Sequence, residues 1–180
     1  MYIAIIIIAV LLILAIALYN SLVGKRNRVR NSWSQIEVQL KRRFDLIPNL
    51  VESVKGYAAH ERGTFEEVTA ARTKYMSSKT PQDMMQANGE LTQALGRLFA
   101  VAEAYPELKA NTNFLELQGE LSKTEDKISF ARQFYNDVVM DYNNSVQMFP
   151  TSFIANIGGF KEEPFFHTEE KEQQAPQVKF

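Results

Sequence analysis

The sequence predicts an all-α protein, with a single N-terminal transmembrane helix followed by an antiparallel bundle of about four long helices, one of them kinked at Pro48. Three observations predict it. The chain opens on an uncharged apolar run from Tyr2 to Tyr19, no later segment alternates apolar and polar residues for long enough to make a strand, and several later segments repeat apolar side chains at helical spacing over many turns. A chain of 180 residues whose leading stretch is given to a bilayer has room for one further domain around a single core. The expected division is residues 1–24 as transmembrane anchor, 25–160 as cytoplasmic helical bundle and 161–180 as an acidic C-terminal tail.

The anchor comes first. From Tyr2 to Tyr19 there is no charge and almost no hydrogen-bonding side chain. At about 1.5 Å per residue a helix of that run reaches roughly 27 Å, close to the thickness of a hydrocarbon core. Tyr2 and Tyr19 bracket the run, where amphipathic rings prefer the two interfaces, and Leu22 and Val23 extend it. Behind it come Lys25, Arg26, Arg28 and Arg30, then Lys41, Arg42 and Arg43, with Glu37 the one acid among them. Positive charge behind the span, and none ahead of it but the amino terminus, predicts a single pass with the N-terminus outside and the bundle in the cytoplasm. Ala15-Ile16-Ala17 has the form of a signal-cleavage site, but a secretory signal carries its positive charge ahead of the apolar run. The basic cluster sets topology and also attracts anionic lipid, by about 1 kcal/mol per residue near the surface.

The first bundle helix begins at the membrane. Trp33, Leu40, Ile47 and Val54 stand at sevens, with Ile36, Leu50 and Tyr57 three further on and Arg43 in the remaining place of that series. Pro48 removes a backbone donor and crowds the carbonyl four residues back, which predicts a kink or restart just after Arg43 to Ile47. A guanidinium on an apolar seam must pair or snorkel out. Asp45 and the carbonyls freed by Pro48 are the expected partners of Arg43 in a structural network, with a switch or partner anchor as the alternative. Gly63-Thr64, with Glu66 and Glu67 behind it, reads as a break and a capped start, and Phe65, Val68 and Tyr75 give the next piece its stripe. Thr80-Pro81 is an N-cap and first-turn pair for a helix whose seam is Met84, Asn88, Leu91, Leu95, Leu98, Ala102 and Tyr105, ended by Pro106.

After a connector over 107–112, the clearest helix runs from Asn113 to Phe149. Phe114, Leu121, Ile128, Tyr135, Tyr142 and Phe149 stand at sevens, and Leu117, Thr124, Ala131, Val138 and Ser145 fill the place three further on. The Thr124-Glu125-Asp126-Lys127 cluster with Arg132 reads as a salt-bridged face of this helix, which also carries Asn136, Asn143 and Asn144. Pro150 stops it. Phe153, Ile154, Ile157, Phe160, Phe165 and Phe166 then crowd a segment containing Gly158-Gly159, and so many apolar side chains do not stay in water. Either the segment folds back to close one end of the bundle, or it forms an oligomer or partner interface. The polar stretch from Thr168 ends in Val178-Lys179-Phe180, which has the form of an extended C-terminal ligand, with an incidental or self-docking end as the plainer reading.

The composition excludes much chemistry. Twenty basic and twenty-one acidic side chains nearly cancel, so no global basic field points to nucleic acid. With no cysteine, thiolate metal sites, thiol catalysis and disulfides are absent. His60-Glu61-Arg62-Gly63-Thr64 begins like a zinc-protease helix, but Thr64 stands where the second imidazole must be. The position three before His60 is Tyr57 and that three before His167 is Pro164, so neither makes the Glu-x-x-His of a di-iron bundle. Ser32, Ser34 and Ser53 have no oriented base in reach of sequence reasoning. No metal, no cofactor and no enzymatic activity are expected.

The run Arg42-Arg43-Phe44-Asp45-Leu46-Ile47-Pro48-Asn49-Leu50-Val51 resembles the LemA family. The likeness continues at Asn31-Ser32-Trp33, Phe65-Glu66-Glu67-Val68, Leu115-Glu116-Leu117-Gln118, Thr124-Glu125-Asp126 and Ala131-Arg132-Gln133-Phe134-Tyr135-Asn136, then at Tyr142-Asn143, Phe149-Pro150, Gly159-Phe160 and the hydrophobic-x-Phe ending. What the resemblance implies is a bacterial protein anchored N-terminally in the inner (plasma) membrane with a helical-bundle body. Family members are often encoded near membrane metallopeptidases, which implies a link to membrane protein quality control. It carries over no catalytic residue.

The function expected is a membrane-anchored scaffold or adaptor that self-associates and recruits other proteins at the cytoplasmic face. The rivals are a signalling component using the Pro48 bend as its two-state element, and an oligomer that patterns lipid. The expected partners are the bilayer, further copies of the chain as a homo-oligomer, and a membrane protease or other membrane protein. The interface or structural candidates are Trp33, Arg43, Asp45, Pro48, Tyr135, Asn136, Tyr142, Phe149, Phe153, Phe160, Phe166 and Phe180.

Overall fold

The computed structural model describes residues 2–58 and 60–166. Phe180, His167 and the rest of the expected tail beyond Phe166 lie outside the described residues. Among the described residues there are helices and no strands. The helices are α1 (Tyr2–Lys55), α2 (Arg62–Ser77), α3 (Pro81–Glu103), α4 (Pro106–Lys109), α5 (Thr112–Gln147) and α6 (Thr151–Ile157). Four of them are long, and α4 and α6 are single short pieces in the connections.

The chain forms two units, one of residues 2–36 with 130–166 and one that includes residues 37–129. In the first, the apolar start of α1 stands bare, with Ile6 61 %, Leu11 58 % and Ile13 67 % exposed, and burial begins at Leu22 with Val29, Ser32 and Ile36 following. Among the described residues α1 is the one helix long and apolar enough to cross a membrane. The same α1 helix continues past the basic cluster without a break, so the expected change at residue 25 is one of environment and not of secondary structure. Here α5 runs antiparallel to α1: Lys25 Nζ donates to Asp141 Oδ1 at 2.7 Å and Ser145 Oγ at 2.8 Å, while Trp33 stacks edge-on against Tyr135.

The second unit holds a hydrophobic core of Phe44, Leu50, Val54, Val68, Leu91, Leu98 and Leu121 with their neighbours. Its α2 and α3 lie antiparallel, tied by Lys74 to Glu90 and by Arg97 to Glu67 at 2.6 Å. As expected, Thr80 caps α3, its hydroxyl accepting from Asp83 N at 3.2 Å with Pro81 in the first turn. The start of α2 differs from expectation. The helix begins at Arg62 behind Glu61, so Thr64 lies inside the first turn and caps nothing.

The Pro48 reading also changes in detail. The proline sits inside α1, which runs on to Lys55. A proline cannot donate to the carbonyl four residues back, and that carbonyl, Phe44 O, accepts instead from Arg72 Nε of α2 at 3.4 Å. A tertiary donor thus takes the place of the missing helical one.

At the far end of α5 the seam stops early. The helix ends at Gln147, so Phe149 leaves the helical rotation that put Tyr135 and Tyr142 inside, and it is 87 % exposed. After α6 the chain turns back through a Schellman ending, with Phe160 N donating to Ala155 O at 2.9 Å and Gly159 N to Asn156 O at 3.3 Å. Gly159 has φ 69°, which a side chain resists, and a Cβ on Gly158 would meet the Phe160 ring at 2.6 Å.

Candidate functional site

Two constellations carry the polar side chains that the sequence singled out, one in each unit. In the second unit Arg43 is 4 % exposed and donates from Nη1 to Asn88 Oδ1 at 2.5 Å, with Glu125 Oε2 2.8 Å away. Asn88 is itself buried. Asp45, two residues further along the helix, points to a different face; Asp45 and Pro48 are both exposed. Burial pushes the Tyr75 phenol up, with the charges of Glu37 and Asp45 adding to it, while its ring stacks on Phe44 at 3.9 Å. Charged side chains of the expected salt-bridged face of α5 also reach other elements. Glu125 goes to Arg43, Arg132 lies over the Phe166 ring at 4.7 Å, and Glu120 takes Lys123 and Arg42. The hydrogen bond and charge of Lys123, with Arg42 behind them, hold the Glu120 carboxyl below its usual range.

In the first unit residues 160–166 form an extended segment clasped along α5. Asn143 donates from Nδ2 to Glu163 O at 2.9 Å and accepts from Glu163 N at 2.9 Å; Asn136 donates to Phe166 O at 3.1 Å and accepts from Phe166 N at 2.8 Å. Each amide pairs with both backbone groups of one residue, as a neighbouring strand would. Beside them, Tyr142 Oη donates to Lys161 O at 2.9 Å and Tyr135 Oη to Pro164 O at 3.0 Å. The register follows from geometry. Asn136 and Asn143 stand seven apart on the helix, a rise of about 10.5 Å, and their partners stand three apart in extended chain, about 10 Å.

Aromatic contacts close the clasp. Phe166 packs near Trp33 with ring centroids 6.4 Å apart, Phe160 meets Tyr19 edge-on at 5.4 Å, and the Arg26 guanidinium lies 4.8 Å from the Phe160 ring centre. Burial, with Glu163 adding to it, pushes the Tyr135 phenol up to about 12. Tyr142 is raised for the same reasons, against the lowering charges of Arg26 and Arg30.

The structure therefore brings together Trp33, Tyr135, Asn136, Tyr142, Phe160 and Phe166 from the sequence candidates, and leaves Phe149 and Phe153 exposed outside the clasp. Sequence reasoning missed Asn88 and Glu125 as partners of Arg43, and Asn143 as the equal of Asn136. A signal existed for each: Asn88 interrupts the α3 seam, and Asn143 stands seven residues from Asn136. The hydroxyls of Ser32, Ser34 and Ser53 donate to carbonyls of their own helix, and so are engaged in the backbone. Among the described residues no group of three or more His, Asp and Glu side chains is placed to hold a metal. An open groove of about 790 Å³ beside α2 is lined by Lys55, Arg62, Phe65 and Thr73, whose hydroxyl is engaged with Thr69 O.

A helix fit to cross a bilayer, running on into a body of packed helices whose buried polar groups hold other parts of the same chain, defines a membrane-associated all-helical protein. The chain belongs to the LemA family, whose pattern matches residues 32–180. It is 29 % identical over 174 residues to Magnetosome protein MamQ 1 of Paramagnetospirillum magneticum, covering 82 % of this chain and 64 % of the relative. It is 29 % identical over 175 residues to Magnetosome protein MamQ of Magnetospirillum gryphiswaldense, covering 83 % and 64 %. It is 27 % identical over 137 residues to Protein LemA of Metamycoplasma hominis, covering 76 % of this chain and 63 % of that one. The chain thus spans a little under two thirds of the length of these relatives.

Proposed function

We propose that the protein is a single-pass scaffold of the bacterial inner membrane, N-terminus outside, whose cytoplasmic body self-associates and recruits membrane proteins, a membrane protease among them. The observation that carries this reading is the continuity of α1. One helix supplies both the bare apolar span and, from Leu22 onward, the packing face of the body. A body joined to its anchor without a linker is held at the bilayer surface, which suits a protein that positions others. Arg28 and Arg30, just behind the span, are exposed, and in this placement they supply charge for anionic headgroups. The likeness to proteins named for the magnetosome supports an organising role of this kind.

The test is the mass of the full chain extracted in native nanodiscs. A discrete assembly larger than one copy is expected, and a clean monomer at all concentrations overturns self-association. Topology is tested separately by cysteine accessibility, which is clean in a chain with no native cysteine. A cysteine in place of Met76, which is exposed, is expected to react with an impermeant reagent only after the cells are opened.

A further inference from the structure

Outside the apolar start of α1, a conspicuous apolar surface lies on and beside α6. Phe149 is 87 %, Phe153 65 % and Ile157 72 % exposed, at steps of four residues. Within α6, Phe153 and Ile157 stand about 40° apart around the axis, while the buried Ala155 lies on the opposite side. The seven-residue helix therefore has an inner face closed by the protein and an outer face of large apolar side chains left exposed among the described residues.

The height of this face along α1 is set at both flanks. Before α6, Asp141 and Ser145 are held by Lys25. After it, Phe160 rests on Tyr19 and under Arg26. Tyr19 and Leu22 mark the level at which α1 passes from exposed to buried. A helix of seven residues is only about 10.5 Å long, so α6 stays at that level, beside the inner end of the span. Its apolar face lies at the level where the bare apolar surface of α1 ends, and Lys25 and Arg26 supply cations at the same height.

From this we infer that α6 is a lipid-embedded foot: Phe149, Phe153 and Ile157 enter the boundary between headgroups and acyl chains of the same bilayer that α1 crosses. This is the placement of an interfacial amphipathic helix, a shallow insertion of roughly 5–10 Å. The inference rests on the membrane reading of α1. It adds a second attachment point, which fixes the rotation of α1 about its own axis as well as the height of the first unit.

The test uses the full chain in nanodiscs of phosphatidylcholine with phosphatidylglycerol. One cysteine at a time is placed by Phe149→Cys, Phe153→Cys, Ile157→Cys, Leu12→Cys or Met76→Cys and spin-labelled. These positions are exposed, so the label leaves the packing intact. Collisions with oxygen are expected to exceed those with an aqueous nickel chelate at 149, 153 and 157, as at 12, and the order is expected to reverse at 76. Labels at 149, 153 and 157 that follow 76 while 12 stays in lipid overturn the foot and leave the anchor standing. A label at 12 that is itself open to the nickel chelate overturns the anchor, and the foot with it. Labels at 153 and 157 closed to both agents, with dipolar broadening that dilution of labelled by unlabelled chains removes, show the face covered by a second copy and also overturn the foot.

Discussion

Arg43, with its 4 % exposure, is held by one neutral and one charged partner, Asn88 and Glu125. Removing one member of a fully buried ion pair costs about 3–5 kcal/mol. The Glu125 side chain is 38 % exposed and rehydrates when left alone, so Arg43→Ala is expected to cost about 2–3 kcal/mol in denaturant unfolding in mild detergent. Arg43→Lys should fall between, because both contacts are made through Nη1 and an ammonium keeps the charge while losing the planar geometry that aims that nitrogen. A loss below about 0.5 kcal/mol for Arg43→Ala, the range of an ordinary surface change, would sink this account. In the clasp, Asn136→Ala removes two hydrogen bonds to Phe166 and is expected to cost about 1–3 kcal/mol. Asn136→Asp keeps the acceptor for Phe166 N and loses the donor, so amide exchange at Phe166 should rise less with it than with Ala.

The same clasp carries a pH dependence. Tyr135 titrates at about 12 and Tyr142 above the ordinary 10.0, both raised by burial first and Glu163 second. A folded-state value above the unfolded one means that the contribution is complete below about pH 10 and is lost as pH rises toward 12. The physical event is loss of the O–H donor to Pro164 O and Lys161 O. Trp33 is the single tryptophan and packs on Tyr135 and Phe166, so it reports release directly. Acrylamide quenching of Trp33 should rise between pH 10 and pH 12, and a flat profile over that range contradicts the assignment.

At the scale of elements, α1 shows how a proline is tolerated inside a helix. Pro48 leaves Phe44 O without its helical donor, and Arg72 of α2 supplies one at 3.4 Å. The two residues should therefore be coupled. Arg72→Ala is expected to cost about 1 kcal/mol in the native chain and clearly less beside Pro48→Ala, where the restored N–H serves the carbonyl. Equal costs in both backgrounds would show that the carbonyl contact contributes nothing. The α6 ending offers a second case. Gly159→Ala places a side chain at φ 69° and Gly158→Ala drives a Cβ against the Phe160 ring. Each is expected to loosen the turn by about 1 kcal/mol or more and to raise exchange at Phe160 N.

At the scale of the molecule, the question is what holds each unit and what remains for partners. Truncation after Pro150 removes the 160–166 segment along with α6, and so uncovers Tyr135, Tyr142 and Trp33. Such a chain is expected to lose thermal stability at least to the extent of the Asn136→Ala, Asn143→Ala double variant, and to aggregate without a discrete mass. A truncated chain as stable as the full one would show that the clasp is not structural. Changes confined to the exposed Phe149, Phe153 and Ile157 are the better probe of membrane seating, since they leave the clasp whole.

The helical class, the long apolar start of α1, the α3 cap and most of the α5 seam were legible in the linear chain, because each follows from local composition, periodicity or capping chemistry. Leu121, Ile128, Tyr135 and Tyr142 are buried as their sevenfold spacing requires. The partners of the polar residues were not legible. Arg43 found Asn88 and Glu125, 45 and 82 positions away, because only the packing of helices brings those side chains within reach. Likewise the aromatic surplus after Pro150 announced burial without saying of which residues. The sequence by itself determined that this is a helical LemA-family protein with an apolar N-terminal helix. Tertiary structure alone decided that Phe160 and Phe166 turn inward under an asparagine clasp while Phe149, Phe153 and Ile157 turn outward, because that sorting depends on where α5 ends and on the angle at which Gly158-Gly159 returns the chain.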